Sequence, residues 1–378
     1  MSKEEKRVPE LRFKGFHDDW EQRELSEVSK VNPKSNLPDT FTYVDLESVK
    51  NNSLVSTVNM DKENAPSRAQ RLASKGDIFF QTVRPYQRNN ILYDLEGTDY
   101  VFSTGYAQIR PKISSEFLLN RMEGDGFVNK VLSRCTGTSY PAINSKDLSS
   151  ISFYLPINEK EQSRIGKLLK YIDNCINLHR RRTTTLSNLK QEYFYKIFPF
   201  YGTDTPKIGF RKFNEKWEEV KFSNILESHP SKPFIMTPIK NGKYKIIQQG
   251  DTPVLGYADG EPFENFKNIT LFGDHTVSLY RPKEPFFVAT DGLKILSSKS
   301  VNSDFLYLIL EKYKPESQGY KRHFSILKNS NLSLTPNYEE QEQLGKFFKL
   351  IDKISDLYQN KFEKLKKIKQ SYLEKMFI

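Results

Sequence analysis

Cysteine is almost absent: Cys135 and Cys175 are the only two in 378 residues. They share no paired spacing with each other or with a histidine, which argues against both a disulfide framework and a structural zinc site. The five histidines, His17, His179, His229, His275 and His323, are scattered without metal-ligand or triad spacing. No glycine-rich loop ends in Gly-Lys-Ser/Thr, so the phosphate cradle of a nucleotide-hydrolysing motor is missing. No Pro-Pro dipeptide occurs, which removes the Asn/Asp-Pro-Pro-aromatic motif that an adenine methyltransferase needs to grip an extruded base. Pro38-Asp39 has no acid two positions before a lysine in the following two dozen residues, so a nuclease metal cluster is incomplete. Long apolar runs are also lacking, and the charged, proline-broken opening MSKEEKRVPELRFKGF cannot serve as the apolar region of a signal peptide. These absences predict a soluble, non-catalytic protein of the reducing cytoplasm that binds no cofactor or metal of its own.

What the chain does have is length, charge and repetition. Its 378 residues suit two domains of ordinary size, and 58 Lys+Arg against 47 Asp+Glu give a net charge of +11. That excess points to a polyanionic partner, with nucleic acid foremost. The pointer is weak, because residues 159–198 hold nine basic against four acidic residues and 339–378 hold nine against seven. Much of the excess therefore lies on segments that read as helices with solvated faces.

Two kinds of segment recur. VPELRFKGFHDDWEQRELSEV (8–28) returns as TPKIGFRKFNEKWEEVKFSNI (205–225), matching Pro9 to Pro206, Phe13 to Phe210, Phe16 to Phe213 and Trp20 to Trp217, the only two tryptophans. EQSRIGKLLKYIDNCINL (161–178) returns as EQEQLGKFFKLIDKISDL (340–357), and the match continues to Phe198 and Phe377. The material between, roughly 29–154 and 226–333, differs in length and sequence. A duplicated frame with divergent inserts predicts a pseudo-two-fold molecule whose halves meet different ligands; simple drift of two copies is the plainer alternative.

In the second repeat, apolar residues alternate at spacings of three and four. They run Ile165, Leu168, Ile172, Cys175, Leu186, Leu189 and Tyr193 in one copy, and Leu344, Phe347, Ile351, Ile354, Tyr358, Leu365, Ile368 and Tyr372 in the other. This is a heptad seam, interrupted by a cation, Arg182 or Lys361, which would penalise wrong registers. No proline or glycine breaks 167–198 or 346–378, so helices of roughly 35 to 40 residues, roughly 50 to 60 Å long, are predicted. Each is longer than a small domain, which suits a spacer built from two paired helices. A plain oligomerisation coiled coil is the second reading of the same seam.

The inserts read as mixed α and β. Strands are expected at 41–49, 75–85, 101–111, 273–282 and 285–296, and matching helices at 114–122 and 302–310. Nucleic-acid contacts are sought where cations sit among amides and aromatics, since guanidinium and amide groups can read base edges bidentately. In the first insert these are Lys75, Gln81 and the loop Arg84-Pro85-Tyr86-Gln87-Arg88-Asn89-Asn90, together with Thr138, Ser139 and Tyr140 of the small-residue loop 136–141. In the second they are Lys243, Tyr244, Gln248 and Gln249, then Arg281, then Lys321, Arg322 and His323 within the stretch Gly319 to His323, which also holds Tyr320. Each has the plainer reading of a polar surface loop.

The duplicated openings, the two heptad helices introduced by Pro156 to Asp173 and Pro336 to Asp352, and the KGDIFF (75–80) and TGTSYPAI (136–143) stretches together resemble type I restriction-modification specificity subunits. QGYKRHFSI stands where the second insert would need a TGTSYPAI counterpart. The resemblance implies an α+β chain with target-recognition domains at 1–155 and 201–335 and spacer helices at 156–200 and 336–378 packed as an antiparallel coiled coil. It further implies that each insert reads one half of a bipartite, asymmetric site on double-stranded DNA. Two methyltransferase subunits and motor-nuclease subunits would be partners, and S-adenosylmethionine, ATP and magnesium would belong to them. The alternative function is a coiled-coil scaffold without sequence-specific DNA binding. Half-sites on one face of B-DNA lie about 34 Å apart, within reach of helices of this length.

Overall fold

The structure, a computed structural model, describes residues 7–97, 99–200, 202–319 and 321–378. It divides into two compact units: one runs up to Arg180 and takes in Asn360–Ile378, and the other is Arg181–Gln359. Each therefore holds one insert with parts of both long helices.

In unit 1 the strands are β1 (Glu21–Glu24), β2 (Ser29–Val31), β3 (Thr40–Val44), β4 (Val49–Lys50), β5 (Ser53–Leu54), β6 (Val58–Asp61), β7 (Ala69–Leu72), β8 (Ile78–Gln81), β9 (Ile91–Leu92), β10 (Tyr100–Ser103), β11 (Tyr106–Pro111) and β12 (Ser152–Leu155). Its helices are α1 (Leu25–Val28), α2 (Ser115–Glu123), α3 (Asp125–Leu132), α4 (Ser145–Ser149) and the first part of α5 (Glu159–Lys196). β1 pairs antiparallel with β12, closing the insert at its base. Above it lie two four-stranded sheets, β2-β11-β8-β9 and β6-β3-β10-β7, the second containing the parallel pair β3 and β10. The stretch 101–111, expected as one strand, is two strands in different sheets. The chain turns at Thr104-Gly105, where Thr104 donates to the Arg68 carbonyl.

Unit 2 carries β13 (Glu218–Lys221), α6 (Phe222–Ile225), β14 (Glu227–His229), β15 (Tyr244–Ile247), β16 (Val254–Ala258), β17 (Thr270–Gly273), β18 (Leu279–Tyr280), β19 (Phe286–Val288), β20 (Leu293–Ser297), α7 (Ser303–Tyr313), α8 (Phe324–Asn329), β21 (Asn331–Leu334) and the first part of α9 (Tyr338–Lys375). The topology repeats: β13 pairs with β21, β14-β20-β17-β18 form one sheet, and β16-β15-β19 form another with β15 parallel to β19. The hairpin β4–β5 and strand β7 have no counterpart among the described residues.

The repeated sequence elements meet in the cores. Trp20 packs edge-on against Phe117 of α2 and against Phe377, at 6.1 and 6.3 Å between ring centroids. Trp217 does the same against Phe305 of α7 and Phe198, at 5.9 and 5.8 Å. Each opening Trp thus closes on the phenylalanine two residues past the end of a long helix, at equivalent places in the repeat. The long helices also touch their inserts at one glycine each. A Cβ on Gly166 would lie 2.7 Å from the Phe117 backbone nitrogen, and one on Gly345 would lie 2.9 Å from that of Phe305. α2 and α7 are capped alike, by Ser114 accepting from the Phe117 N–H and by Asn302 accepting from those of Asp304 and Phe305.

Burial differs from the heptad seam near each helix start. Ile165, Leu169 and Ile172 are buried, as are Leu344 and Phe348, while Leu168 is half-buried and Phe347 is 36% exposed. The first turns pack on the globular insert, so a 3.6-residue face wins there over the 3.5-residue seam. Further along, Leu186, Ile351 and Leu365 are half-buried, and Leu189, Ile368, Arg182 and Lys361 are exposed. Within unit 2, Tyr193 meets Phe347, Lys190 meets Asp352 and Arg182 meets Tyr358. Position numbers rise on α5 as they fall on α9, so these segments run antiparallel.

Candidate nucleic-acid interface

In unit 1 the two loops singled out in the sequence come together. Arg84 follows β8 by three residues. Its N–H donates to the Pro141 carbonyl at 2.8 Å, and Val83 bridges Ala142. Its guanidinium stacks 4.1 Å over the Tyr140 ring, a pairing that holds its donor edges in plane. Tyr140 is 64% exposed, and Thr138 and Ser139 are exposed beside it. Arg84 and Arg88 both have left-handed backbone, at φ +54° and +53°, flanking the single 3-10 turn Pro85–Gln87. Each costs on the order of 1 kcal/mol and is kept only where surrounding contacts impose it.

Those contacts are visible. The buried Gln81 accepts from the Asn89 N–H and donates to the Gln87 side chain, and Asn90 accepts from the Gln81 N–H. Gln81 therefore holds the loop from below. Arg88 is ion-paired with Asp125 at 2.5 Å and donates to the Glu123 carbonyl at 3.0 Å. Tyr86 is 51% exposed at the apex, and Asn89 is half-buried, accepting from the Asn51 N–H. Lys75 is exposed and paired with Glu96.

Unit 2 supplies the matching loop that the sequence left open. The stretch Gln318 to His323 lies between α7 and α8, as 133–144 lies between α3 and α4. It is pinned by Asp274, the residue after β17, much as 141–143 is pinned by the residues after β8. His323 is fully buried. Its ring engages the Asp274 carbonyl at 2.9 Å and accepts from the Gln318 N–H, so it shapes the loop from inside while Lys321 and Arg322 are exposed. Tyr320 lies outside the described residues. Arg281 is also drawn inward, paired with Asp304 at 2.9 Å and stacked 4.2 Å over Tyr307, and burial lowers its pKa. Lys243 is exposed beside Tyr244, Gln248 holds the turn at Thr252, and Gln249 accepts from the His275 N–H.

Behind the loops lie residues that pattern reasoning passed over. In unit 1, Lys369 of α9 bonds Glu123 at 2.7 Å and Asp173 of α5 at 2.8 Å. In unit 2, Lys190 of α5 lies 2.8 Å from Asp352 of α9 and 3.9 Å from Glu311. Burial pushes the Asp173 carboxyl up to about 6 against the pull of Lys369. Burial would also lower the Lys369 ammonium, but Glu123 and Asp173 outweigh it and hold the pKa above its ordinary value. A second pair repeats as well: Lys170 meets Glu116, and Lys349 meets Asp304. The sequence signal was present in GKLLKYID and GKFFKLID, whose lysines and aspartates repeat as faithfully as the apolar residues. Asn32 to Leu37 with Gln70 and Arg71 line a further polar cleft of about 690 Å³ in unit 1.

Among the described residues, no cluster of three or more His, Cys, Asp or Glu could hold a metal ion, and no helix is long and apolar enough to cross a membrane. Residues 17–188 match the family profile of the type I restriction modification DNA specificity domain. The type I restriction enzyme HindI specificity subunit of Haemophilus influenzae is 23% identical over 188 residues, 48% of this chain. The chain spans 41% of that relative's length. Among solved structures, the type I restriction-modification S subunit from M. genitalium has this fold, with a TM-score of 0.72 at 14% identity over 98% of this chain and 99% of its own. A chain from a structure addressing complex assembly and conformational transition of the type I R-M system reaches 0.50 at 22% identity, over 94% of this chain and 97% of its own. The fold is thus matched along the length of the chain, and residues 17–188 match the type I restriction modification DNA specificity domain.

Proposed function

We propose that this chain reads a bipartite, asymmetric sequence on double-stranded DNA and directs partner subunits to methylate adenine or cleave, performing no catalysis itself. The observation that carries the reading is one topology built twice with unlike loops at the same place. Arg84 to Asn90 and Thr136 to Pro141 stand in one unit, and Asp274 to Ser278 with Gln318 to His323 in the other. A constant frame with variable loops is what two different half-sites require. Arg84, Tyr86, Thr138, Ser139 and Tyr140 are the base-edge and phosphate contacts of the first half-site, with Lys243, Lys321 and Arg322 those of the second. Gln81, Arg88 and His323 hold these loops in shape, while Arg281 is committed to Asp304 and Tyr307 of α7.

Residues 1–155 and 201–335 serve as the target-recognition domains, and 156–200 and 336–378 as an antiparallel helical spacer setting the gap between half-sites. Tyr171 and Leu178 on α5, and Leu350 and Leu357 at the repeat-equivalent positions of α9, are each about half exposed or more. A pair of apolar stripes at equivalent places suits two copies of one partner, the methyltransferase subunit. Motor-nuclease subunits complete the cytoplasmic assembly, and S-adenosylmethionine, ATP and Mg2+ are bound by those partners.

The test is methylation-sensitive sequencing of genomic DNA from cells expressing the chain with its cognate methyltransferase subunit, compared with cells lacking the chain. A new split motif carrying methyladenine is expected. A stable complex that writes no new motif would overturn the reading in favour of a scaffold.

A further inference from the structure

We infer that Lys369 and Gln370 of α9 are positioning residues for the Arg84–Asn90 loop, setting how sharply unit 1 discriminates its half of the DNA site. The inference rests on the reading of that loop as a DNA contact.

Two branches of contacts run from the loop to the helix, all within unit 1. In the first, Arg88 pairs with one oxygen of Asp125 at 2.5 Å, and the other oxygen accepts from the Gln370 amide at 3.2 Å. Asp125 is thus a bridge with one hand on the loop and one on α9. In the second, Arg88 donates to the Glu123 carbonyl, while the Glu123 carboxylate is bound by Lys369 and by the Asn52 side chain. Asn51 and Asn52 form the tip of the β4–β5 hairpin with left-handed backbone, and the Asn51 N–H donates to the Asn89 side chain. The hairpin tip is therefore clipped between Glu123 and the loop.

Lys369, only 13% exposed, sits between Glu123 and Asp173 and fixes the carboxylate from which this branch hangs. Arg88 must keep a left-handed backbone for the loop to hold its shape, and Arg84 stands at the other end of the same 3-10 turn. Releasing the helix-side anchors frees the end of the turn opposite Arg84, so the effect falls on the aim of the guanidinium and not on its presence. The repeat-equivalent cluster in unit 2 has Glu311 at 3.9 Å from Lys190, and among the described residues the hairpin has no counterpart there. The linkage is a property of unit 1.

The experiment uses the full chain assembled with its methyltransferase partner, once the wild-type motif is known. Methylation rates are measured on duplexes with single-base substitutions in either half, the half read by unit 1 being the one that changes when residues 29–154 are exchanged. Lys369→Met, Gln370→Ala and Asp125→Asn are expected to lower discrimination in that half about tenfold, the size of one misaimed base contact, and to leave the other half unchanged. Lys369→Arg is expected to restore it. Because Asp125 is exposed and Gln370 is only part-buried, their variants carry the test if Lys369→Met does not fold. Unmoved discrimination in both halves, or an equal loss in both that follows a lowered unfolding midpoint, overturns the inference while leaving the DNA reading in place. A wild-type complex that writes no split motif overturns both.

Discussion

The two units carry the same three-residue ion cluster and seat it differently. In unit 1 the lysine is 13% exposed and closes on both carboxylates below 3 Å. In unit 2 the lysine is 24% exposed, its aspartate is 44% exposed, and the third carboxylate stands off at 3.9 Å. Burying charge costs desolvation that pairing only partly offsets, so such a cluster specifies a register more than it adds stability. What differs is what lies beyond it: a hairpin tip and the Arg84–Asn90 loop in unit 1, and no such hairpin among the described residues of unit 2. The frame is held constant by residues that repeat, and each insert is free to vary once it has met three fixed points on a helix: the glycine, the Lys170 or Lys349 pair, and the cluster.

The comparison can be broken unit by unit, because Trp20 reports on one core and Trp217 on the other. In single-tryptophan backgrounds followed by urea melts, Lys369→Met is expected to cost unit 1 about 3 kcal/mol by leaving buried carboxylates unpaired. Lys190→Met should cost unit 2 about 1 kcal/mol, since its partners are better solvated; equal losses would erase the distinction. Gly166→Val and Gly345→Val should each cost about 2 kcal/mol, in their own unit only, from overpacking against α2 or α7. Arg84→Ala should cost about 1 to 3 kcal/mol in DNA binding and relax only the first half-site, measured by competition among substituted duplexes. A uniform loss would make it a phosphate contact.

Smaller effects follow from titration and from the helix seam. With the Asp173 carboxyl raised from 3.8 to about 6, the native state keeps a proton that the unfolded chain releases. This group's contribution is present below about pH 4 and is lost as pH rises through about 6. Asp173→Asn should flatten that part of the pH dependence of the Trp20 midpoint. Arg182→Glu removes a cation 5.4 Å over the Tyr358 ring, worth about 0.5 to 1 kcal/mol at an exposed site. It should weaken helix pairing or partner assembly on a sizing column before it alters base choice.

Much of this was legible before any coordinates. The duplication, the 38-residue helices and the strand-rich inserts follow from spacing, and the Arg84 and Tyr140 loops, singled out by composition, do meet in unit 1. One misreading has a local cause. Residues 101–111 read as one strand because strand-forming residues stand on both sides of the Thr104-Gly105 turn. Arg88, Arg281 and His323 are engaged by Asp125, Asp304 and Asp274, neighbours that a sequence does not disclose.

The sequence by itself determined the frame: two copies, each with an opening tryptophan, a long helix and an insert. Periodicity and repetition are one-dimensional properties that survive without coordinates. Only the tertiary structure decided which face of each helix is buried, which loop of unit 2 corresponds to 136–141, and which cations are committed to carboxylates. These depend on residues far apart in the chain, such as Glu123 and Lys369, meeting at distances that no local pattern records.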